Sequence, residues 1–313
     1  MEKILLVLLQ LCSFILLAPL VQGVIKKVKA RLQNRIGADL FQPYRDILKY
    51  LKKDSVISKE ASWLTVTTPY LCLGLILLIS ILIPSFYVPA PLGFSGDIIL
   101  VIYLLALCRF FMALTALDAG SSFGGFGGSR ESVIGALTEP ALLLSIIAVL
   151  LTTTETNIGN VIQNVLQHDF FISNFSWWLA LIAFVIVLII ETGRLPYDNP
   201  DTHLELTMMH ESMMLEYSGR YLGLMVLFVQ IKQLLLITVL INLFFPYGIA
   251  VNVGYLEVAQ ALVLYVSKVF IVGLGLAVIE TVYAKIRLFL VPNLILASIS
   301  LAVLALIFQL FNY

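Results

Sequence analysis

Long apolar stretches, separated by short polar ones, set the pattern of this chain. A helix needs about 20 mainly apolar residues to cross a hydrocarbon core. Eight stretches approach or exceed that length: 4–21, 64–83, 98–117, 133–151, 177–190, 221–245, 258–282 and 291–311. The fifth is the shortest, and its start extends toward Ser173. The pattern predicts an all-α, polytopic integral membrane protein of about eight transmembrane helices, with residues 1–313 forming a single membrane domain. The first stretch shares features with an export signal. The basic run Lys26, Lys27, Lys29 and Arg31 that follows it is unsuited to export, so a retained helix is expected.

Composition agrees with this pattern. Only 12% of the residues are charged, against about 25% in soluble domains, which excludes an ordinary globular protein. Basic and acidic residues are equal at 19 each, so their distribution matters more than their sum. The segment 22–62 holds ten Lys and Arg residues, and Arg130, Arg194, Arg220, Lys285 and Arg287 follow later spans. The alternate loops, 85–97, 152–176 and 246–257, contain none. By the bias of basic loops toward the cytoplasm, this puts the basic loops inside and both termini outside. In so apolar a chain the basic clusters meet a lipid bilayer, and a nucleic-acid partner is not expected.

Within 22–62, Tyr44, Ile47, Leu48 and Leu51 recur at helical spacing beside Arg45, Lys49, Lys52 and Lys53. This reads as an amphipathic helix at the membrane surface or beneath a partner. Residues 119–132 carry five glycines but lack the phosphate-loop pattern G-x-x-x-x-G-K-[ST]. A tight connection between two helices is expected there. Cys12, Cys72 and Cys108 lie in apolar runs without C-x-x-C spacing, so buried, inert thiols are expected. His210-Glu211 lacks the second histidine of H-E-x-x-H, and no metal site is assigned.

The acidic loop 191–220 is the richest segment. It holds Glu191, Asp198, Asp201, Glu205, Glu211 and Glu216 with His203 and His210, and Asp201 or Thr202 is placed to cap a short helix. Inside the spans lie Arg109, Glu139, Lys232, Lys268 and Glu280. A charge at bilayer depth costs about 2.5–3.5 kcal/mol on insertion scales, so each needs a partner, a wet cavity or a function. For Glu139 and Glu191 both a proton path and simple helix pairing, as of Glu139 with Arg109, remain open.

The run E-T-G-R-L-P-Y-D-N-P-D-T-H-L-E-L-T-M-M-H-E-S-M-M-L-E-Y-S-G-R resembles the signature of the complex I subunit 1 family. It is still more similar to the membrane subunits of group 4 [NiFe] hydrogenases, the formate hydrogenlyase subunit 4-like proteins. R-L-Q-N-R-I-G-A-D-L-F-Q-P-Y-R-D, G-G-F-G-G-S-R-E with A-L-T-E-P-A-L-L-L, and A-K-I-R-L-F-L-V-P-N-L agree in order, covering Arg31 to Leu294. The resemblance implies a non-catalytic membrane anchor and coupling subunit that binds no redox centre itself. Its partners would be hydrogenase-like large and small subunits, which carry the [NiFe] and Fe–S clusters, and antiporter-like membrane subunits. Carried over by position, Glu139, Glu191, Glu205, Glu211 and Glu216 form a proton path. Arg194, Asp198, Tyr217 and Arg220 lie under the catalytic subunits. Complex I relatives usually carry T-N-R where this chain has Thr192-Gly193-Arg194, and P-N after the R-x-G element where it has Ala38-Asp39. These departures favour the hydrogenase type over a quinone-site subunit. A stand-alone transporter, the remaining alternative, would show inverted repeats, and none is evident.

Overall fold

The computed structural model describes residues 2–88, 90, 97–153, 155–167, 174–198, 208–251 and 254–311. Its helices are α1 (Glu2–Leu32), α2 (Gln42–Lys52), α3 (Trp63–Leu82), α4 (Ile98–Asp118), α5 (Ser122–Thr153), α6 (Ile158–Gln167), α7 (Phe175–Glu191), α8 (Gly219–Phe244), α9 (Tyr255–Val282) and α10 (Val291–Phe311). Seven of these, α1, α3, α4, α5, α8, α9 and α10, are long and apolar enough to cross a membrane. The 17-residue α7 matches the short fifth stretch.

α8 is the axis of the bundle, with nearly every side chain after Phe228 buried. It packs against α1, α2 and α3, while α9 lies along α1, and α5, α7 and α10 form a mutually packed flank. Polar side chains tie the ends together. Gln10 on α1 donates to the carbonyls of Ser80 and Ile83 at the end of α3, each at 2.6 Å. On the same side Lys268 donates to the carbonyls of Phe245, at 2.8 Å, and Tyr247. Its charge therefore meets the negative end of α8 and has a structural explanation.

Four local expectations change. α1 continues past Val21 to Leu32, so its basic run is helical rather than part of a loop. The segment 152–176 contains a short helix, α6. Cys12 is exposed on α1, whereas Cys72 and Cys108 are buried. The glycine-rich segment is not a connection but the first turns of α5. A Cβ on Gly124 would lie 2.7 Å from the carbonyl oxygen of Ala116, and one on Gly127 would overlap Ser212 Oγ. Small residues let helices approach closely enough for this packing, which outweighs the poor helix propensity of glycine.

Candidate functional site

The site begins at the end of α7. Thr192 closes the helix, and Gly193 takes φ +62°. The amides of Gly193 and Arg194 donate to the carbonyls of Ile190 and Ile189, each at 3.0 Å. This glycine-dependent stop leaves Glu191 in the last helical turn and sends Arg194 back into the bundle. A carboxylate at a helix C-terminus faces the negative end of the dipole, so Glu191 needs cations, and two are present. Arg109 on α4 contacts Glu191 Oε1, and Lys232 on α8 lies 2.9 Å from Oε2.

Arg109 joins two helices more. Its Nη1 is 2.8 Å from Glu139 Oε1 on α5, so one guanidinium bridges Glu139 and Glu191. Gly135 makes the space: a Cβ there would lie 2.7 Å from both Cδ and Nη1 of Arg109. Glu131, one turn before Gly135, accepts from the Tyr197 hydroxyl at 3.1 Å and lies 3.6 Å from His210 Nδ1. Burial, with the adjacent Glu131 carboxylate, raises the pKa of Tyr197 well above the ordinary tyrosine value.

A second cluster lies alongside. Arg194 contacts Glu280 on α9 at 2.5 Å, Gln233 at 2.7 Å, and Gln22 on α1. Lys29 reaches the other oxygen of Glu280 at 3.2 Å. Asp198 closes the set: Lys285 donates to Oδ1 at 2.7 Å, and the amides of Met209 and His210 donate to Oδ2 at 3.0 and 3.4 Å. Between these groups is a cavity of about 70 Å³, bordered by Gln22, Arg194, Asp198, His210, Gln230 and Gln233 among others. Gln230 Oε1 and Gln233 Nε2 are buried there without a hydrogen-bond partner. The space and the unsatisfied amide atoms suit a few waters.

Of the five proposed path carboxylates, the structure brings Glu139 and Glu191 together through Arg109. Glu211 borders the cavity, Glu216 is exposed, and Glu205 lies outside the described residues with Asp201 and His203. The pairing of Glu139 with Arg109 and the link to Glu191 are both present, so neither sequence reading displaces the other. Glu191 is not an isolated buried acid, since two cations hold it.

The expected interface set divides. Arg194, Asp198 and Tyr217 are buried, 4%, 3% and 7% exposed, and the turn at Gly193 carries the first two inward. Arg220 is the exposed member. Glu131 escapes sequence reasoning because its segment reads as a connection. Once that segment is helical, the spacing E-x₃-G-x₃-E places Glu131 and Glu139 one turn to either side of Gly135. Among the described residues no group of three or more His, Cys, Asp or Glu side chains is placed to hold a metal ion.

A family model described as NADH dehydrogenase matches residues 4–310. The chain belongs to this family. Within the NADH dehydrogenase family it is 35% identical over 298 residues to formate hydrogenlyase subunit 4 of Escherichia coli (strain K12), covering 95% of this chain and 96% of that protein. It is 33% identical over 301 residues to hydrogenase-4 component C of the same organism, covering 96% and 94%. An NADH-quinone oxidoreductase subunit of Paraburkholderia xenovorans (strain LB400) is 28% identical over 257 residues, covering 76% and 69%. A chain in the structure of the membrane-bound sulfane sulfur reductase, an archaeal respiratory membrane complex, shares the fold with a TM-score of 0.87 at 21% identity, covering 98% of this chain and 99% of that one.

Proposed function

We propose that this chain is the membrane anchor and coupling subunit of a hydrogenase-type respiratory complex. It docks subunits carrying [NiFe] and Fe–S centres and links their electron transfer to proton or ion movement, with its basic loops in the cytoplasm. Hydrogenase-like large and small subunits and antiporter-like membrane subunits are the partners in this reading. Full-length similarity to formate hydrogenlyase subunit 4 and hydrogenase-4 component C supports the type of complex.

One observation carries the coupling role. Arg109 bridges the buried Glu191 to Glu139, whose side chain remains 37% exposed on α5. A charge change at the docked face would act through the exposed Glu216 and the cavity-bordering Glu211 on His210 and Glu131. Among the described residues the cluster sets three carboxylates, Glu131, Glu139 and Glu191, against two cations, Arg109 and Lys232. A change in that balance alters which of its two carboxylate partners Arg109 favours. Glu139 then passes the effect to a neighbouring membrane subunit.

The quinone-site reading receives less support. Ligand pockets usually have about 300 Å³ or more, and the polar cavity here has about 70 Å³. The deciding experiment is Glu139→Gln in the assembled complex. Ion movement should be abolished, while hydrogen oxidation or evolution with artificial dyes continues. Persistence of ion movement in that variant would sink the relay.

A further inference from the structure

After α1 the chain doubles back along it. Gly37, at φ +69°, sits where a Cβ would be 2.5 Å from that of Ala30. The carbonyl oxygen of Leu40 fills the place where a Cβ on Gly23 would stand. The Tyr44 hydroxyl then donates to the carbonyl of Leu16. The contact point thus moves down α1 from residue 30 to 23 to 16.

That path sets the depth of α2. α1 carries no charge from Ile4 to Ile25, and Lys26 and Lys27 follow at once, so the hydrocarbon boundary falls near Ile25. At 1.5 Å rise per residue, Gly23 lies about 3 Å and Leu16 about 14 Å inside it. Because the tyrosine side chain reaches deeper than its own backbone, the α2 axis lies between these levels. Interfacial helices are immersed by about 5–10 Å.

The faces of α2 fit that depth. Pro43 and Ile47 are buried against the protein, and Tyr50 and the protein-side edge of Leu51 abut Gly223 on α8. At 3.6 residues per turn, Tyr44, Leu48 and Leu51 share one flank, and the contact of Tyr44 with Leu16 directs it toward the bilayer interior. Leu48 and Leu51 on this flank are 57% and 44% exposed, and Phe41 beside them 57%. Lys52, Arg45, Lys49 and Lys53 follow around the opposite side and are exposed. Arg45 pairs with Asp39 at 3.1 Å, and Asp46 accepts from Gln42 at 2.8 Å. Among the described residues Lys49, Lys52 and Lys53 have no carboxylate partner.

We propose that the exposed face of α2 is a binding site for anionic phospholipid, with Phe41, Leu48 and Leu51 against acyl chains and Lys49, Lys52 and Lys53 on the headgroup phosphate. A soluble subunit approaching from water would meet the lysines but could not cover Leu48 and Leu51 below the headgroup level. Long lysine stems that run along apolar surface and lift their ammonium groups to the interface are the usual arrangement at this depth.

The test places a fluorophore at Leu48→Cys, in full-length chain carrying Cys12→Ser. The chain is reconstituted in nanodiscs of phosphatidylcholine and phosphatidylglycerol with one or the other acyl-brominated at equal mole fraction. Both lipids should quench, phosphatidylglycerol on the order of fivefold more strongly. Lys49→Gln, Lys52→Gln and Lys53→Gln together should bring the ratio to about one while leaving quenching in place. Should that variant fold poorly, 1 M salt, where the Debye length is about 3 Å, should collapse the ratio in the parent chain. Equal quenching by both lipids at low salt overturns the site. Absence of quenching by either, in the free chain or the assembled complex, means that water or a partner subunit covers α2 and overturns it as well.

Discussion

Arg109 on α4 reaches Glu191 at the end of α7, 82 residues away in sequence, and that contact makes one network of four helices. Without it Glu139 would pair within the α4–α5 hairpin and Glu191 with Lys232 within α7 and α8. Each pair would be locally neutral and disconnected from the other.

Arg109→Met should therefore destabilise the chain by about 3–5 kcal/mol, the usual penalty for stranding a buried charge. It leaves three carboxylates facing Lys232 alone. Adding Glu139→Gln removes one excess negative charge, and the double variant should recover part of the loss. Thermal unfolding in detergent measures both. Equal destabilisation in the single and double variants would show that Arg109 and Glu139 are not coupled.

Gly135→Val tests the same network without touching a charge. A side chain at this position enters the space held by the Arg109 guanidinium, 2.7 Å from where a Cβ would stand. Overpacking of this sort costs about 1–3 kcal/mol. The variant should lose ion coupling as Glu139→Gln does while retaining dye-linked activity, read by parallel assays on membranes.

Asp198→Asn should loosen the later part of the acidic loop, around Met209 and His210. The carboxylate accepts from two amides, those of Met209 and His210, and from Lys285. Hydrogen bonds to a charged group contribute about 1.5–3 kcal/mol. Deuterium exchange at Met209 and His210 should accelerate by about tenfold or more, with the core of α8 unchanged.

Gly23→Ala should push α2 away from α1. The added methyl meets a backbone carbonyl, that of Leu40, so side-chain adjustment cannot relieve it. The gain of about 1 kcal/mol in helix propensity should be outweighed. Protease cleavage within 33–41 should become faster than in the parent chain.

The sequence reveals the membrane helices because hydropathy over about 20 residues registers length directly. It hides the extension of α1 beyond Ile25, since charged turns are helical there only through packing. Lys29, for example, is paired with Glu280 on α9. It also hides the start of α5: glycines disfavour a helix by about 1 kcal/mol each, and only the close approach of Ala116 and Ser212 explains Gly124, Gly127 and Gly128. Glu131 is hidden along with that segment. The Arg109–Glu139 pair is legible, since both residues are charges in adjacent apolar runs. The link from Arg109 to Glu191 is not, because it depends on how α4 and α7 meet. Similarly, Arg194 and Asp198 read as surface charges until the turn at Gly193 directs them inward.

The chain order of the charged partners has a consequence for biogenesis. Arg109 leaves the ribosome shortly before Glu139, and Glu191 before Lys232. Each lone charge costs about 2.5–3.5 kcal/mol to insert at mid-bilayer. An α4–α5 hairpin would enter the bilayer with Arg109 paired to Glu139, and an α7–α8 pair with Glu191 paired to Lys232. The Arg109–Glu191 contact can form only when these two units meet. It is therefore a late event in assembly, and the membrane receives the two ion pairs before the contact that joins them.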